Sequence, residues 1–320
     1  MREVRDLVSI ILPTYNDEKT VRSTLESLIR LAYDQKEILI VDDGSTDNTP
    51  AIVSEYRNHE GVQVIQTTHH GRSHTRNLGF KNARGSLVFF AESDAIYDPN
   101  YLTRTTAHFE DPQVGGVLPI GDVLTPESLV EKCLDIEMRI RNAKALANRL
   151  KPISAWVYRA DVFRQAGGFD ERLEVAEDQD LATRVRRLGY DIVYEPSTNW
   201  WHPAQRSVLD LVKRSARHGR SRIPYCLKYP RKIPFVYLGI LSLFTLFLLL
   251  SPISSIFPLS ALLLLGVVVL TEAIQTLRDG WSVTEDRKYL VILPLLGVVR
   301  SLSFTIGFIV GLALFLFSRR

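Results

Sequence analysis

"EILIVDDGSTDNTP", residues 37 to 50, holds a strand, a turn and a helix start in one short stretch. Glu37 to Val41 is a short apolar run that reads as a buried strand. "DDGSTD" then stops it: Gly44 supplies a positive φ, and Ser45 or Asp47 caps a helix over about residues 49–57. The same grammar extends in both directions. Val8 to Leu12, "VSIIL", is a second buried strand, ended by Pro13. Asn16 or Asp17 caps the helix that follows, where Val21, Leu25, Leu28 and Ile29 recur at helical spacing. Downstream come "VQVIQ" at 62–66, a helix from Ser73 to Ala83, and "GSLVFFA" at 85–91. Strands alternating with helices give an α/β, Rossmann-like fold with a mostly parallel sheet. Its ligand crevice lies at the strands' C-terminal ends.

Each of those ends carries an unusual polar cluster: "PTYND", "DDGSTD" and "AESD". Asp42 and Asp43, read as exposed at the sheet edge, suit hydrogen bonds to a base N–H or to ribose hydroxyls. Tyr15 suits either a face against the base or simple rim packing. No glycine loop of a phosphate-binding kind is present. A bound diphosphate would therefore need a divalent ion at Asp94 and basic side chains such as Arg72 and Arg76, although Arg76 also reads as a solvated helix residue. Farther on, "GGFDERLEVAEDQDLATRVRRLGY" (167–190) has a Gly-Gly turn and the acids Glu177, Asp178 and Asp180 ahead of a helix. Leu181, Val185 and Leu188 form its apolar stripe, and Arg184, Arg186 and Arg187 are read as solvated. A carboxylate at a helix start is held as the anion, which suits a general base and equally an ordinary cap. "IVYEPSTNWWHPAQR" reads as a strand running into a Trp-Trp-His turn, with His202 a metal ligand or, more commonly, a structural histidine.

Composition conceals a division. The 320 residues are 23% charged and 46% hydrophobic, as in a soluble protein, but the last ~90 hold nearly all the long apolar runs. Cys133 and Cys226 lack the spacing of a disulfide framework or metal site, so the N-terminal part reads as reduced and cytosolic. The first twenty residues have too short an apolar stretch for a signal peptide. Residues 233–250 and 253–271 carry no charge and are long enough to span a bilayer; the lack of a polar face argues against two buried core helices. Arg300 interrupts the final run, which suggests an interfacial segment at 289–301 and a span at 302–317; a fourth crossing is the alternative. Between His202 and Lys232 nine Lys or Arg face one acid, Asp210, which keeps that flank cytoplasmic. Residues 206–222 place Val208, Leu209, Val212 and Ala216 near one face of a basic helix. Such a helix suits anionic lipid or a lipid-linked phosphate acceptor. Nucleic acid is not expected, because stacking aromatics are not interleaved there. The expected division is a catalytic part at 1–204, a basic linker at 205–232 and a membrane part at 233–320.

In this order the clusters resemble the family 2 glycosyltransferases of GT-A fold. "VSIILPTYNDEKTVRSTLESL", "EILIVDDGSTDNT", "RSHTRNLGFKNARGSLVFFAESDAIYDPNYL" and "GGFDERLEVAEDQDLATRVRRLGY" carry the resemblance, over about residues 6–232. It implies an inverting, metal-dependent hexosyltransferase using a nucleotide-diphosphate sugar, UDP favoured and GDP possible, with Mn2+ or Mg2+. By analogy Pro13, Tyr15 and Asp43 line the base and ribose pocket, and Arg76 approaches the diphosphate. Glu92-Ser93-Asp94 falls on the Asp-X-Asp motif, Asp94 holding the metal. Glu177-Asp178 falls on the motif whose Asp is the catalytic base, and His202 on an additional metal position. Two departures stand out: Glu92 is one methylene longer than usual, and "HPAQRSVLD" lacks the Gln-X-X-Arg-Trp motif of processive synthases. Transfer of a single sugar to a lipid-linked or polyprenyl-phosphate acceptor is therefore expected, by an integral membrane protein with a cytoplasmic catalytic domain. A processive polysaccharide synthase is the alternative, then a non-catalytic binding module, and more weakly a nucleotidyltransferase.

Overall fold

A computed structural model describes residues 6–147, 150–230, 239, 267, 270–271 and 273–317. The expected spans at 233–250 and 253–271 lie, but for a few positions, outside the described residues. The chain divides into two compact units, Met1–Leu124 with Asn142–Pro203, and Thr125–Arg141 with Ala204–Arg320.

The first unit is built on one eight-stranded sheet. Its strands are β1 (Val8–Thr14), β2 (Lys36–Asp42), β3 (Val62–Gln66), β4 (Leu87–Phe90), β5 (Ile96–Tyr97), β6 (Val114–Val123), β7 (Val157–Arg159) and β8 (Asp191–His202). The spatial order is β3-β2-β1-β4-β7-β6-β8-β5. Strands β1 to β4 pair in parallel, as expected, and β6 with β8 likewise; β4/β7, β6/β7 and β5/β8 are antiparallel. The helices are α1 (Val21–Ile29), α2 (Thr49–Ser54), α3 (Arg72–Asn82), α4 (Tyr101–Ala107), α5 (Leu129–Leu146), α6 (Ala160–Gln165), α7 (Glu177–Arg187), α8 (Val208–Ser221), α9 (Ile223–Lys228) and α10 (Lys288–Phe317).

Because β1, β2 and β4 are apolar on both faces, helices must cover both. Val21, Leu25 and Leu28 of α1 with Tyr101 and Leu102 of α4 close one side. Val162 and Phe163 of α6 with Leu181, Ala182 and Val185 of α7 close the other. Chain order reverses at β1, which has β2 on one side and β4 on the other, and a ligand crevice opens at such a switch point. Helix α3 lies directly on the sheet because Gly79 carries no Cβ to strike Ile11 and Val41.

Several local expectations are corrected. Pro13 does not end β1, which runs on to Thr14 against β2. Its missing N–H points to the β4 side, beyond the last β4 bond from Ala91 N–H to the Ile11 carbonyl. Neither Asn16 nor Asp17 caps α1, which starts four residues later, while Asn16 takes a positive φ. Asp47 bonds the Thr49 N–H at the head of α2, whereas Ser45 is spent on Asp42. Gly44 has the expected positive φ, with its backbone against that of His69. Residues 200–202 form no turn: β8 continues to His202 because β5 and β6 both pair with it there. On α7, Leu188 is exposed, and Arg184 is bound to Asp180 and the Ala166 carbonyl rather than solvated.

In the second unit, Cys133, Ile136 and Ile140 of α5 pack with Leu211 of α8 and with Leu290, Leu293 and Leu296 of α10. The buried face of α8 is Leu211, Ser215 and Gly219, while Val208 and Leu209, expected on its apolar face, are exposed. Residues 289–301 and 302–317 belong to one uninterrupted helix, α10, which contains Pro294 and is long and apolar enough to cross a membrane.

Candidate active site

A cavity of about 320 Å³ opens at the switch point, lined by Pro13, Thr14, Tyr15, Asp17, Asp43, His69, Arg72, Thr75, Glu92, Ser93 and Asp94. The loops after β1, β2, β3 and β4 all reach it, so the polar strand ends do converge.

On one side stand Tyr15, Asp43 and His69. Asp42 and Asp43 are buried, not exposed at an edge. Asp43 accepts hydrogen bonds from the His70 and Gly71 N–H groups and pairs with His69 Nδ1 at 2.9 Å. It therefore fixes the loop ahead of α3 while one edge lines the cavity. The Tyr15 ring stacks on His69 at 4.0 Å, both half exposed, which forms an aromatic shelf on the rim. The Thr14 hydroxyl is buried there without a partner among the described residues. Such an orphan is costly unless a ligand or water meets it.

Opposite them is a charge cluster built around an arginine. Arg76 is 1% exposed; it donates to Glu92 at 2.7 Å and to Glu177 at 3.0 Å, with its guanidinium 5.5 Å from Trp156 and 5.2 Å from Phe169. The resemblance implied that Arg76 approaches a diphosphate; here its two terminal nitrogens are turned to the acids, its Nε is buried without a partner among the described residues, and it is not among the residues lining the cavity. Arg72, one helical turn earlier and half exposed, does line it. Glu92, then Glu177, Asp178 and Asp94, hold the Arg72 guanidinium charged above its ordinary range. Burial pushes Glu92 up, but Arg72 and Arg76 outweigh it and the carboxyl titrates below the usual range.

Helix α3 also positions the loop that carries Glu177. Asn77 exchanges hydrogen bonds with the Phe169 backbone at 2.9 Å in both directions, and Ser73 reaches the Leu173 carbonyl. That loop ends at Ala176, a non-glycine residue at φ +63 that turns the chain into α7. Asp178 follows in the first turn, accepting from the Gln179 N–H. The helix start favours its anion, yet burial and the neighbouring Glu177 win, and the carboxyl is raised to about 6.

The metal expectation rests on Asp94 and His202. Among the described residues no three His, Cys, Asp or Glu side chains gather into a ligand cluster. The donor chemistry nevertheless fits a sparse site. Burial, then Glu92 and Asp17, raise the Asp94 proton affinity: negative charge there is under-balanced, and Asp94 makes no ion pair among the described residues. His202 lies within electrostatic reach of both Asp94 and Glu92. Its Nδ1 donates to the Pro203 carbonyl, so Nε2 carries the lone pair a cation needs. Two protein ligands plus phosphate oxygens are what Mg2+ and similar ions commonly take.

Sequence reasoning passed over Asp17, His69, Asn77 and Trp156. Asp17 receives Ser93 Oγ at 2.6 Å and so ties the first loop to the acid motif. The paired histidines ahead of "RSHTRN" were the readable signal for His69; nothing local distinguishes Trp156.

Residues 9–165 match the family model described as Glycosyl transferase family 2. Over 219 residues the chain is 27% identical to poly-beta-1,6-N-acetyl-D-glucosamine synthase of Staphylococcus epidermidis, covering 66% of this chain and 53% of that one. It thus spans about half the length of the curated relatives it matches. In fold it is similar to the mannosyltransferase PcManGT from Pyrobaculum calidifontis, solved with GDP-Man and Mn2+: TM-score 0.59, 17% identity, covering 94% of this chain and 87% of that one. S. aureus TarS in complex with UDP-GlcNAc gives 0.51 at 18% identity, over 94% and 90% of the two chains.

Proposed function

We propose that the chain, whose residues 9–165 match the Glycosyl transferase family 2 model, is a glycosyltransferase that moves one sugar, with inversion, from a nucleotide-diphosphate donor to a lipid-linked or membrane-proximal acceptor. The observation that carries this reading is the Glu92–Arg76–Glu177 clamp, which joins the acid motif after β4 to the one at the head of α7. Donor-side and acceptor-side acids are thereby fixed to one frame. Tyr15, Asp43 and His69 receive the base and ribose, UDP being favoured and GDP possible. Arg72 faces the diphosphate. A divalent ion, Mn2+ or Mg2+, held by Asp94 and His202 would neutralise the departing nucleoside diphosphate. Asp178, an anion above about pH 6, accepts the proton of the acceptor hydroxyl as its oxygen attacks the anomeric carbon. If the acceptor is a phosphate anion no proton has to leave, and Asp178 matters less.

The N-terminal unit works on the cytoplasmic side of a membrane in which the apolar C-terminal part is anchored, the basic flank before residue 232 meeting anionic lipid. A processive synthase is the second reading, favoured by the polymer-forming relative and opposed by the missing Gln-X-X-Arg-Trp motif. Membranes containing the full chain, given labelled UDP- and GDP-sugars with polyprenyl-phosphate or lipid-linked acceptors, should yield singly extended products. Asp94→Ala should abolish them with every acceptor, and Asp178→Asn should abolish them with hydroxyl acceptors. Unchanged transfer in both variants defeats the site assignment; long products from one donor would select the processive reading.

A further inference from the structure

Helix α10 has two unlike sides. One is packed: Leu290, Leu293 and Leu296 lie in the cluster with α5 and Leu211. Farther along, a Cβ on Gly307 would collide with the Ala216 carbonyl, one on Gly311 with the Arg220 backbone, and one on Gly219 of α8 with the Phe304 carbonyl. Small residues at these points let the two backbones touch. Ala216 against Gly307 and Arg220 against Gly311 are equal steps in one direction, so α8 runs parallel to α10. The other side of α10 is an exposed stripe that includes Val291, Leu295, Leu302, Ile306, Ile309 and Phe317. Those spacings keep one helical face from end to end.

Away from Leu211, Ser215 and Gly219, α8 carries the exposed Lys213, Arg214 and Arg217. We infer that α10 lies in the plane of a membrane surface, its stripe sunk in the acyl layer and α8 stacked above it, and that it does not cross. Suppose instead that the chain crossed from Leu302. Gly311 would then sit about 14 Å deep, near the middle of the hydrocarbon, with the cationic residues of α8 held beside it. Cations at that depth are strongly disfavoured. In the plane the same pair is layered as a bilayer surface requires: apolar stripe below, cations above. Arg300, mid-helix, is then also at home, paired to Glu137 of α5 at 2.7 Å. Lipid is the fitting occupant of the stripe, because the chain ahead of α10 carries the apolar runs 233–250 and 253–271, each long enough to enter a bilayer.

Depth measurement tests this independently of catalysis. Nitroxides are placed singly at Leu295→Cys and Leu316→Cys in the full chain, reconstituted into phosphatidylcholine/phosphatidylglycerol vesicles, with the unlabelled parent's buried cysteines as background. Power saturation with oxygen and a nickel chelate should put both labels in lipid at the same depth, within a few ångströms. A crossing helix would separate the two depths by about 30 Å, and that result overturns the inference. So does a result with both labels in water. Arg319→Cys and Glu285→Cys should react with an impermeant maleimide from the same side of the membrane; opposite sides overturn it as well.

Discussion

Arg76 shows what a single buried charge can organise. Its partners lie 16 and 101 residues away in sequence, and it hydrogen-bonds both Glu92 and Glu177, whereas Arg72 meets them only through longer-range attraction. The extra methylene of Glu92 acquires a purpose in this setting: it reaches the guanidinium at 2.7 Å while its carboxylate still borders the cavity. Glu92→Asp should lose that contact and about 2 kcal/mol of stability, read by denaturant unfolding. Glu92→Gln keeps an acceptor at the same reach and should lose less; the reverse ranking would mean that charge, not length, is what matters there. Asp178 gives a second prediction. Its carboxyl holds a proton up to about pH 6 in the folded protein but only to about 4 in the unfolded chain. Stability therefore falls as pH rises through that window, while base catalysis grows. Asp178→Asn should melt higher than the parent at pH 7.5, the gap closing by pH 4, while the parent's hydroxyl-directed transfer should fall below about pH 6. An unchanged melting profile would contradict this account. That Tyr15, Asp43 and Asp94 line one cavity was legible because polar residues interrupting apolar strand ends are a local signal. The orientation of Arg76 was not: a helix arginine reads as solvated or ligand-facing until its distant partners are brought beside it.

At the scale of elements, the first ninety residues announce themselves by alternating apolar runs and turn chemistry, and β1 to β4 lie where those runs are. The stretch from Tyr101 to Gln165 has no such rhythm. β6 contains Gly and Pro and β7 is only three residues long, and both take their place by pairing with strands far off in sequence. β8 is obscured for a related reason: "NWWHP" looks like a turn, and only β5 and β6 on either side make it a strand. The head of α7 holds local strain at Ala176, φ +63. A left-handed conformation costs an alanine about 1 kcal/mol, which glycine avoids. Ala176→Gly should therefore be neutral to stabilising in the free protein. If it lowers transfer without lowering stability, the strain serves to hold Asp178 in position. In the α8–α10 pair, Gly307→Leu should force the helices apart. Near-normal sugar-nucleotide binding by the N-terminal unit, together with weakened retention in membranes, is the expected outcome, checked by nucleotide titration and carbonate extraction.

For the whole molecule, the crevice and the long apolar helix fall to different units: the crevice is built entirely from the first, and the described apolar helix belongs to the second. Residues 125–141, which precede much of the catalytic unit in sequence, count with the second, a grouping that no composition change marks. The contact of α8 with α10 also fixes a parity. The two helices touch backbone to backbone, yet one precedes the apolar runs at 233–250 and 253–271 and the other follows them. If both helices lie on one membrane face, as inferred above, a chain that leaves one and returns to its neighbour has to cross an even number of times in between. Removing residues 253–271 alone would make that number odd. On that inference the protein would then have to part α8 from α10 or change how often it crosses, and protease protection of a C-terminal tag would tell which. A glycine that merely lets two backbones meet thus becomes a rule for counting how often the chain passes through the membrane.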